Sequence, residues 1–121
     1  MQLTMGTSDA LQKYLDLASD QMKLTAGNMA NVDTPGYKTQ GMDFGSAFTQ
    51  AMKNLDGAST AGVNEQVGDV DGLVARPDGN NVSIDRESME LAKEQLQFKT
   101  GVALLKSEYS EMMSAIHADG K

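Results

Sequence analysis

Two heptad patterns, one near each end of the chain, limit what this sequence can fold into. The first alternates spacings of four and three residues, and Thr25 is its single polar member. Its members are Leu11, Leu15, Ala18, Met22, Thr25, Met29 and Val32. The members of the second are Phe98, Val102, Leu105, Tyr109, Met112 and Ile116. Such spacing places all members of a pattern on one stripe of an α-helix. We therefore predict helices over residues 8–31 and 86–117.

Polar residues at the start of each pattern predict the helix caps. Thr7 or Ser8 can cap the first helix, because a hydroxyl accepts from the unpaired N–H groups of the first turn. Asp85 is the corresponding N-cap of the second helix, and Glu87 suits the positive end of its dipole.

The segment between the helices, residues 39–85, is an irregular insert between residues 1–38 and 86–121. Its apolar spacing predicts a short amphipathic helix. The residues that indicate it are Phe44, Phe48, Met52 and Leu55. Residues 56–72 are rich in Gly, Asp, Ser and Asn, which predicts loop or disorder. Asp78-Gly79 between two short apolar runs predicts a β-hairpin with strands at residues 73–76 and 81–84.

The fold class that follows is mainly α, in a single domain. The insert reverses the chain, so the two terminal helices can pair as an antiparallel coiled coil. Two helices alone leave much of each stripe uncovered, and only 5% of the residues are aromatic, with no Trp. We therefore expect other chains to cover a large part of both stripes.

Charge and composition exclude several classes of function. The net charge is −7, which disfavours nucleic acid and anionic membrane surfaces as partners. Without Cys there is no disulfide and no thiolate metal site. No apolar run is long enough to span a membrane. The N-terminus has neither the basic nor the apolar region of a secretory signal peptide, so leaving the cytoplasm would require another route.

The sequence NMANVDTPGYK, residues 28–38, predicts how the first helix ends. Pro35 and Gly36 fit the second and third positions of a type II turn, because Gly accepts a positive φ. Asn31 can adopt the left-handed conformation or bond free carbonyls at the helix end. The Asn28 amide can bond either the departing chain or a neighbouring molecule, and Tyr37 provides an aromatic anchor. These residues are either a simple helix stop or part of an interface.

This stretch of sequence resembles the N-terminal signature of the flagellar axial proteins, the family of rod, hook and hook-associated proteins. The matching positions are Asn28, Ala30, Asn31, Thr34, Gly36 and Tyr37. The segment DGNNVSIDRESMELAKEQLQF, residues 78–98, is similar to the one that precedes the C-terminal helix in the short, proximal-rod members. The resemblance covers residues 8–50 and 75–118. Where the family often has Asn-Asn, this chain has Gly27-Asn28.

The resemblance implies a structural subunit of the proximal rod of the flagellar basal body, assembled through its terminal helices into a hollow helical tube. That tube transmits torque and encloses the export channel. The implied location is the periplasmic space, reached through the flagellar type III apparatus without a cleaved signal peptide. The implied partners are further copies, other rod proteins, the inner-membrane ring, and export-gate and rod-junction proteins, with no nucleic acid and no membrane insertion.

We expect the subunit interface to combine the two stripes with the turn. Its candidate residues are Leu11, Leu15, Met22, Asn28, Met29, Asn31, Pro35, Gly36, Tyr37, Phe98, Val102, Leu105, Tyr109, Met112 and Ile116. Under this hypothesis the Asn28 amide bonds a group between subunits, so that Asn28→Ala leaves the isolated chain intact and impairs assembly.

A different class of function also fits the composition, namely a small acidic helical chaperone or adaptor of a secretion system. It would not need the Pro-Gly turn or the Asp-Gly hairpin. No set of nucleophile, base and orienting residue indicates an enzyme. Asp69-Val70-Asp71-Gly72 lacks the number and spacing of ligands that a calcium loop requires. His117 lacks partners for a metal or catalytic role. We expect no cofactor and no metal.

Overall fold

A computed structural model describes residues 2–55 and 67–119, and most of them are helical. The elements in chain order are α1 (Gln2–Ala30), β1 (Gln40–Met42), α2 (Phe44–Leu55), β2 (Val67–Asp69) and α3 (Ile84–Asp119). Both predicted terminal helices and the predicted short helix are therefore confirmed. None of the helices in these two ranges combines the length and the hydropathy that crossing a membrane requires.

The two long helices, α1 and α3, pack against each other in antiparallel orientation. Near the start of α1, Gln12 Nε2 donates to the Tyr109 hydroxyl at 3.3 Å. Near its end, Thr25 Oγ1 donates to Glu94 Oε1 at 2.8 Å. Residue numbers therefore decrease along α3 in the direction in which they increase along α1. The predicted antiparallel pairing of the terminal helices is confirmed, and it forms within one chain.

Gly101 marks a close approach between the paired helices. A Cβ atom built at this position would lie 2.7 Å from Leu15 Cδ2 and 3.1 Å from the Tyr14 ring. Such contacts are shorter than packed carbon atoms tolerate. The absence of a side chain in the middle of the second heptad pattern therefore allows α3 to lie against α1.

The amphipathic helix α2 covers one side of α1 and forms the apolar core with it. Leu17 from α1 is buried with Ala47 and Ala51 from α2. The Tyr14 ring meets two α2 rings edge-on, with its centroid 5.3 Å from that of Phe44 and 5.8 Å from that of Phe48. Edge-to-face pairs at such distances are favourable beyond the area they bury. Three of the chain's six aromatic residues thus meet at this core.

A two-stranded antiparallel sheet forms in the insert, but not where the sequence predicted it. The strands are β1 and β2, paired in the register Gln40↔Asp69, Gly41↔Gly68 and Met42↔Val67. Residues 73–76 and 81–83 are not strands. The prediction of a hairpin there is wrong, although the Asp-Gly turn does form, with φ of +85° at Gly79.

The prediction of loop or disorder over residues 56–72 is wrong for the part that forms β2. Residues 56–66 lie outside the described residues, and residues 67–69 form β2. A three-residue strand is too short to show an alternating pattern, and its partner β1 lies far earlier in the chain. The local sequence therefore contained neither an alternating pattern nor a nearby partner strand from which β2 could be predicted.

Both predicted helix caps are wrong. The first helix begins at Gln2, so Thr7 and Ser8 lie inside it. The second begins at Ile84, and its N-cap is Ser83 in place of Asp85. Ser83 Oγ accepts from the Arg86 N–H at 3.3 Å, and its carbonyl accepts from the Glu87 N–H at 2.9 Å. Asp85 lies in the first turn, where its charge still suits the helix dipole.

Candidate functional site: a polar joint between the two motifs

The two sequence motifs, far apart in the chain, are in contact in the fold. Residues 28–40 lead out of α1 and residues 76–87 lead into α3, and hydrogen bonds connect the two segments along their length. We call this contact the polar joint. It sets the direction in which the chain leaves one long helix and the direction in which it enters the other.

Asn31 follows the last residue of α1 and bonds the Gly27 carbonyl with both its backbone N–H, at 3.1 Å, and its side chain. Its Nδ2 donates to the Gly27 carbonyl at 2.7 Å, and its Oδ1 accepts from Thr34 Oγ1 at 3.1 Å. No non-glycine residue among those described has a positive φ. Of the two ways in which Asn31 was predicted to end the helix, the chain therefore uses side-chain hydrogen bonding.

The predicted type II turn is confirmed. The Tyr37 N–H donates to the Thr34 carbonyl at 3.2 Å, and φ at Gly36 is +75°. The turn packs against the Asp-Gly turn, because the Gly36 N–H donates to the Asp78 carbonyl at 2.9 Å. The two turns are also in van der Waals range at their glycines, since a Cβ at Gly79 would lie 3.4 Å from the Gly36 Cα.

Asn80 connects the second motif to the end of α1. Its side chain is fully buried. Nδ2 donates to the carbonyls of Asn31 and Thr34, both at 2.9 Å. Oδ1 accepts from the Val82 N–H at 2.8 Å. Each of these carbonyls also accepts a backbone N–H, from Thr34 and Tyr37 respectively, so the Asn80 amide adds a second hydrogen bond to both and connects the turn after α1 to the second motif.

Additional contacts extend the joint on both sides of Asn80. Asn81 Oδ1 accepts from the Thr39 N–H at 2.7 Å and from Thr39 Oγ1 at 2.9 Å. Arg76 Nη2 donates to the Val32 carbonyl, and Lys38 Nζ donates to the Gly79 carbonyl at 2.6 Å. The joint therefore consists of hydrogen bonds, many of them between side chains and backbone, which specify chain direction more than they bury apolar area.

Asn28 lies inside the joint with its hydrogen-bonding groups all occupied. Nδ2 donates to the Gln40 carbonyl at 2.8 Å and to Glu87 Oε2 at 3.0 Å. Oδ1 accepts from the Gln40 N–H at 2.9 Å and from the Tyr37 hydroxyl at 3.1 Å. The side chain is 1% exposed. The expectation that its amide bonds a neighbouring subunit is thus wrong, because the chain itself supplies its partners.

Glu87, which the sequence suggested only as a first-turn charge, is a buried partner of this amide. Its carboxylate is 1% exposed. Oε2 accepts from Asn28, and Oε1 accepts from Arg86 Nη1 at 2.5 Å. A buried carboxylate is tolerated when hydrogen bonds and a counter-charge satisfy it. Glu87 therefore fixes the rotation of the α3 start relative to α1.

Glu94 lies two turns further along α3 and is also buried, but it is less well satisfied. Thr25 donates to one of its oxygens, and Oε2 has no hydrogen-bond partner among the described residues. Burial raises the pKa of Glu94 above its ordinary 4.5, and the hydrogen bond from Thr25 partly offsets this. The nearby charges of Glu90 and Glu87 raise it further, whereas Lys93 lowers it.

The raised pKa of Glu94 predicts a pH-dependent stability difference. In a pH interval above 4.5, Glu94 is still protonated in the folded chain but is already ionised in the unfolded chain. The Glu94 contribution to stability therefore falls as pH rises through the interval above 4.5. Glu94→Gln removes this titration. We expect its urea midpoint, relative to that of the original chain, to increase between about pH 4.5 and about pH 7.

The exposed Glu111→Gln on the same helix is the matched control, since its difference from the original chain is expected to be the same at both pH values. A Glu94→Gln difference that also stays constant with pH would contradict the assignment of a raised pKa.

The turn predicts a second measurable effect. Gly36→Val is expected to lower the free energy of unfolding by about 2 kcal/mol, because a β-branched residue resists a positive φ. No atom lies within 4 Å of a Cβ built at Gly36, so the effect is one of backbone conformation. Gly36→Asn, which tolerates a positive φ better, is expected to lose less. Lys38→Val in the same segment is the control, and equal losses at the two positions would contradict the role of the turn.

The candidate interface residues fall into two groups. The turn and amide residues lie in the polar joint: Asn28, Asn31, Pro35, Gly36 and Tyr37. The apolar candidates follow the paired helices and are half-buried, except for Tyr109 and Ile116, which are 46% and 54% exposed. Sequence reasoning missed Thr39, Asn80 and Asn81 as parts of the site. The pair of Asn directly after the Asp-Gly turn was the available signal, because Asn side chains commonly bond backbone groups nearby.

Acidic groups within the described residues do not form a metal cluster. Nowhere in residues 2–55 and 67–119 do three or more His, Cys, Asp or Glu side chains come together in a way that could hold an ion. Asp71-Gly72, from the rejected calcium-loop pattern, forms a turn with φ of +82° at Gly72.

Comparisons with known proteins agree with this arrangement. The chain is similar to the flagellar basal body rod protein FlgB of Bacillus subtilis, with 29% identity over 96% of this chain and 97% of the relative. It is 30% identical to the same-named protein of Yersinia ruckeri, over 87% and 89% of the two chains. For that of Cereibacter sphaeroides the identity is 32%, over 87% and 89%. No family model matches the chain.

A pair of long helices, directed by a buried polar joint, defines a helical structural subunit. The similarity extends over almost the whole length of the curated relatives and includes both motifs of the joint. The chain belongs to the FlgB family of flagellar basal body rod proteins. The alternative of a secretion chaperone receives no support from these relatives, which are structural proteins of the rod.

Proposed function

We propose that this chain is built into the proximal rod of the flagellar basal body through its terminal helices. Copies of the chain and other rod proteins pack side by side into a hollow helical tube that transmits torque and encloses the export channel. The inner-membrane ring and the export-gate and rod-junction proteins are its further neighbours. Family membership and the antiparallel pairing of the two long helices support this proposal.

The observation that carries the proposal is the apolar surface of α3. Six large apolar side chains of this helix, downstream of its first turn, are between 46% and 74% exposed. They are Met89, Leu96, Leu104, Tyr109, Met113 and Ile116. Burying one such side chain at an interface contributes about 1.5–3 kcal/mol. An isolated chain gains nothing from placing these side chains in water, whereas a neighbouring helix would gain from covering them.

The outer face of α3 is opposite the face that contacts α1. Met89 and Leu96 each follow a buried residue, Glu87 and Glu94, by two positions. Two positions correspond to about 200° around a helix. Met89, Leu96 and Leu104 therefore form an outward apolar stripe that is available to another subunit. Tyr109 and Ile116 instead belong to the heptad stripe that faces α1, and they are exposed toward its end.

The route to the rod is part of the proposal. The chain reaches the periplasmic space through the flagellar type III apparatus. The N-terminal residues belong to α1 from Gln2 onward. Export as an unfolded chain and folding at the assembly site are compatible with the small apolar core described above.

The test is incorporation into basal bodies in a strain that lacks its own copy of the protein. Leu96→Gln combined with Met89→Gln is expected to leave the thermal unfolding of the isolated chain nearly unchanged, because both side chains are mostly exposed. It is expected to reduce basal-body yield and swimming several-fold. Lys93→Gln with Lys99→Gln on the same helix is the control pair. A normal basal-body yield for the apolar double variant would contradict the proposal.

A further inference from the structure

A cavity of about 390 Å³ lies beside the polar joint, between α1, the two-stranded sheet and α3. Its ionisable lining is strongly acidic. The lining contains five carboxylates and one guanidinium: Asp43, Asp69, Glu87, Glu90, Glu94 and Arg86. The guanidinium is already engaged, since Arg86 Nη1 donates to Glu87. The described part of the wall thus leaves the acidic pocket, as we call it, with a large excess of negative charge.

Two buried oxygen atoms of residues that line the acidic pocket have no hydrogen-bond partner among the described residues. They are Oε2 of Glu94 and Oε1 of Gln21. Glu94 as a whole is 2% exposed. A buried acceptor without a donor is costly, and most so when it is charged. Both atoms are acceptors, and a cationic side chain carries the donors that they lack.

We propose that the acidic pocket receives the lysine or arginine side chain of a neighbouring subunit in the rod. This inference rests on the proposed function for the source of the side chain. The cationic head donates to Glu94 Oε2 and Gln21 Oε1, and the carboxylates around the pocket balance its charge. Hydrogen bonds between charged groups in such a partly buried setting are among the stronger ones in proteins.

The shape and lining of the pocket favour a long side chain over a bare ion. Apolar side chains form part of the wall, namely Leu24, Met42 and Val70. Lysine and arginine bury an aliphatic stem against such surface while the charged head reaches a polar site. A metal ion would instead need several ligand atoms converging on one point, and the described residues do not arrange three acidic ligands in that way.

The pocket also lies where a neighbour would transmit force to both long helices. Gln21 and Thr25 belong to α1, Glu90 and Glu94 belong to α3, and β1 and β2 close one side. A cation inserted here contacts both helices directly beside the polar joint. The contact would therefore orient the inserted subunit relative to the helix pair as a whole.

The first test titrates the full-length, ¹⁵N-labelled chain with N-acetyl-arginine amide and N-acetyl-lysine amide. Saturable amide shifts are expected at Thr25, Gly41 and Glu94, with a Kd on the order of 1–10 mM for such small probes. N-acetyl-citrulline amide, the neutral isostere of the arginine probe, should bind at least about tenfold more weakly. Glu94→Gln should weaken the arginine probe to a similar extent, and Glu111→Gln should leave its Kd unchanged.

Three results would overturn the inference. They are equal binding of the citrulline probe, no pocket shifts with either basic probe, and pocket shifts with magnesium chloride at matched ionic strength but not with the basic probes. Circular dichroism of Glu94→Gln establishes that the variant is folded. Because this titration uses the isolated chain, its outcome is independent of rod assembly.

The second test measures assembly in cells. Glu94→Gln is expected to reduce basal-body yield several-fold, whereas Glu111→Gln should support a normal yield. A normal yield for Glu94→Gln would contradict the proposed contact between subunits, but it would not contradict the proposed function in the rod. Failure of the original chain to enter basal bodies would instead contradict the proposed function, whatever the probes show.

Discussion

Asn28→Ala is expected to lower the free energy of unfolding of the isolated chain by about 3 kcal/mol. The substitution removes four hydrogen bonds and leaves buried partners without a donor or acceptor, among them the Glu87 carboxylate and the Gln40 backbone. A buried carboxylate that loses a donor is especially unfavourable. Urea denaturation followed by circular dichroism measures the loss. Helix propensity, which favours Ala over Asn by less than about 1 kcal/mol, does not offset it.

Lys23→Ala is the control on the same helix. The Lys23 side chain is 77% exposed and its only ion pair in the described residues is with Asp20 at 3.7 Å, so a change of less than about 0.5 kcal/mol is expected. If Asn28→Ala were as stable as Lys23→Ala, the amide would have no role inside the chain. The original sequence-based hypothesis of a contact between subunits would then return.

Asn80→Ala is expected to have the second-largest effect, a loss of about 2–3 kcal/mol. The amide pairs the Asn31 and Thr34 carbonyls and the Val82 N–H, and the position is fully buried, so water does not readily replace these bonds. The end of α1 and the entry to α3 lose their common partner. In hydrogen exchange, the amides of residues 31–40 and 80–87 are expected to lose protection, more than those in the middle of either long helix.

Val74→Ala is the control in the same connecting segment, because Val74 is 89% exposed. It should change neither the unfolding midpoint nor the exchange pattern. A uniform loss of protection in Asn80→Ala, spread equally over both helices, would show that Asn80 contributes only to global stability. The joint would then not be a separate unit that directs the two helices.

Asn28 and Asn80 both belong to the polar joint, which connects the end of α1 with the entry to α3. The apolar core around Leu17 and α2 covers only one side of α1. Direction at the other end of the pair depends on side-chain hydrogen bonds to backbone groups. Such bonds are specific in geometry, so the joint is well suited to present the outer face of α3 to a neighbour at a constant angle.

The sequence by itself determined the local elements. The heptad spacing predicted both long helices, because the apolar stripe repeats over many turns and leaves no other regular structure that could bury it. Pro35 and Gly36 predicted a type II turn, because proline restricts φ at one position and glycine permits a positive φ at the next. Phe44, Phe48 and Met52 predicted α2 in the same way. Each of these signals is contained within a few neighbouring residues.

Only the tertiary structure decided which polar groups meet. The strand β1 pairs with β2 and not within residues 73–84, since the pairing of three-residue strands depends on what brings them together. Asn28 turned inward because Gln40 and Glu87, 12 and 59 residues away, supply its partners. A buried carboxylate such as Glu94 looks the same in sequence as a solvated one. Burial and hydrogen bonding between distant residues depend on how the helices pack, and packing follows from the whole chain and not from any one segment.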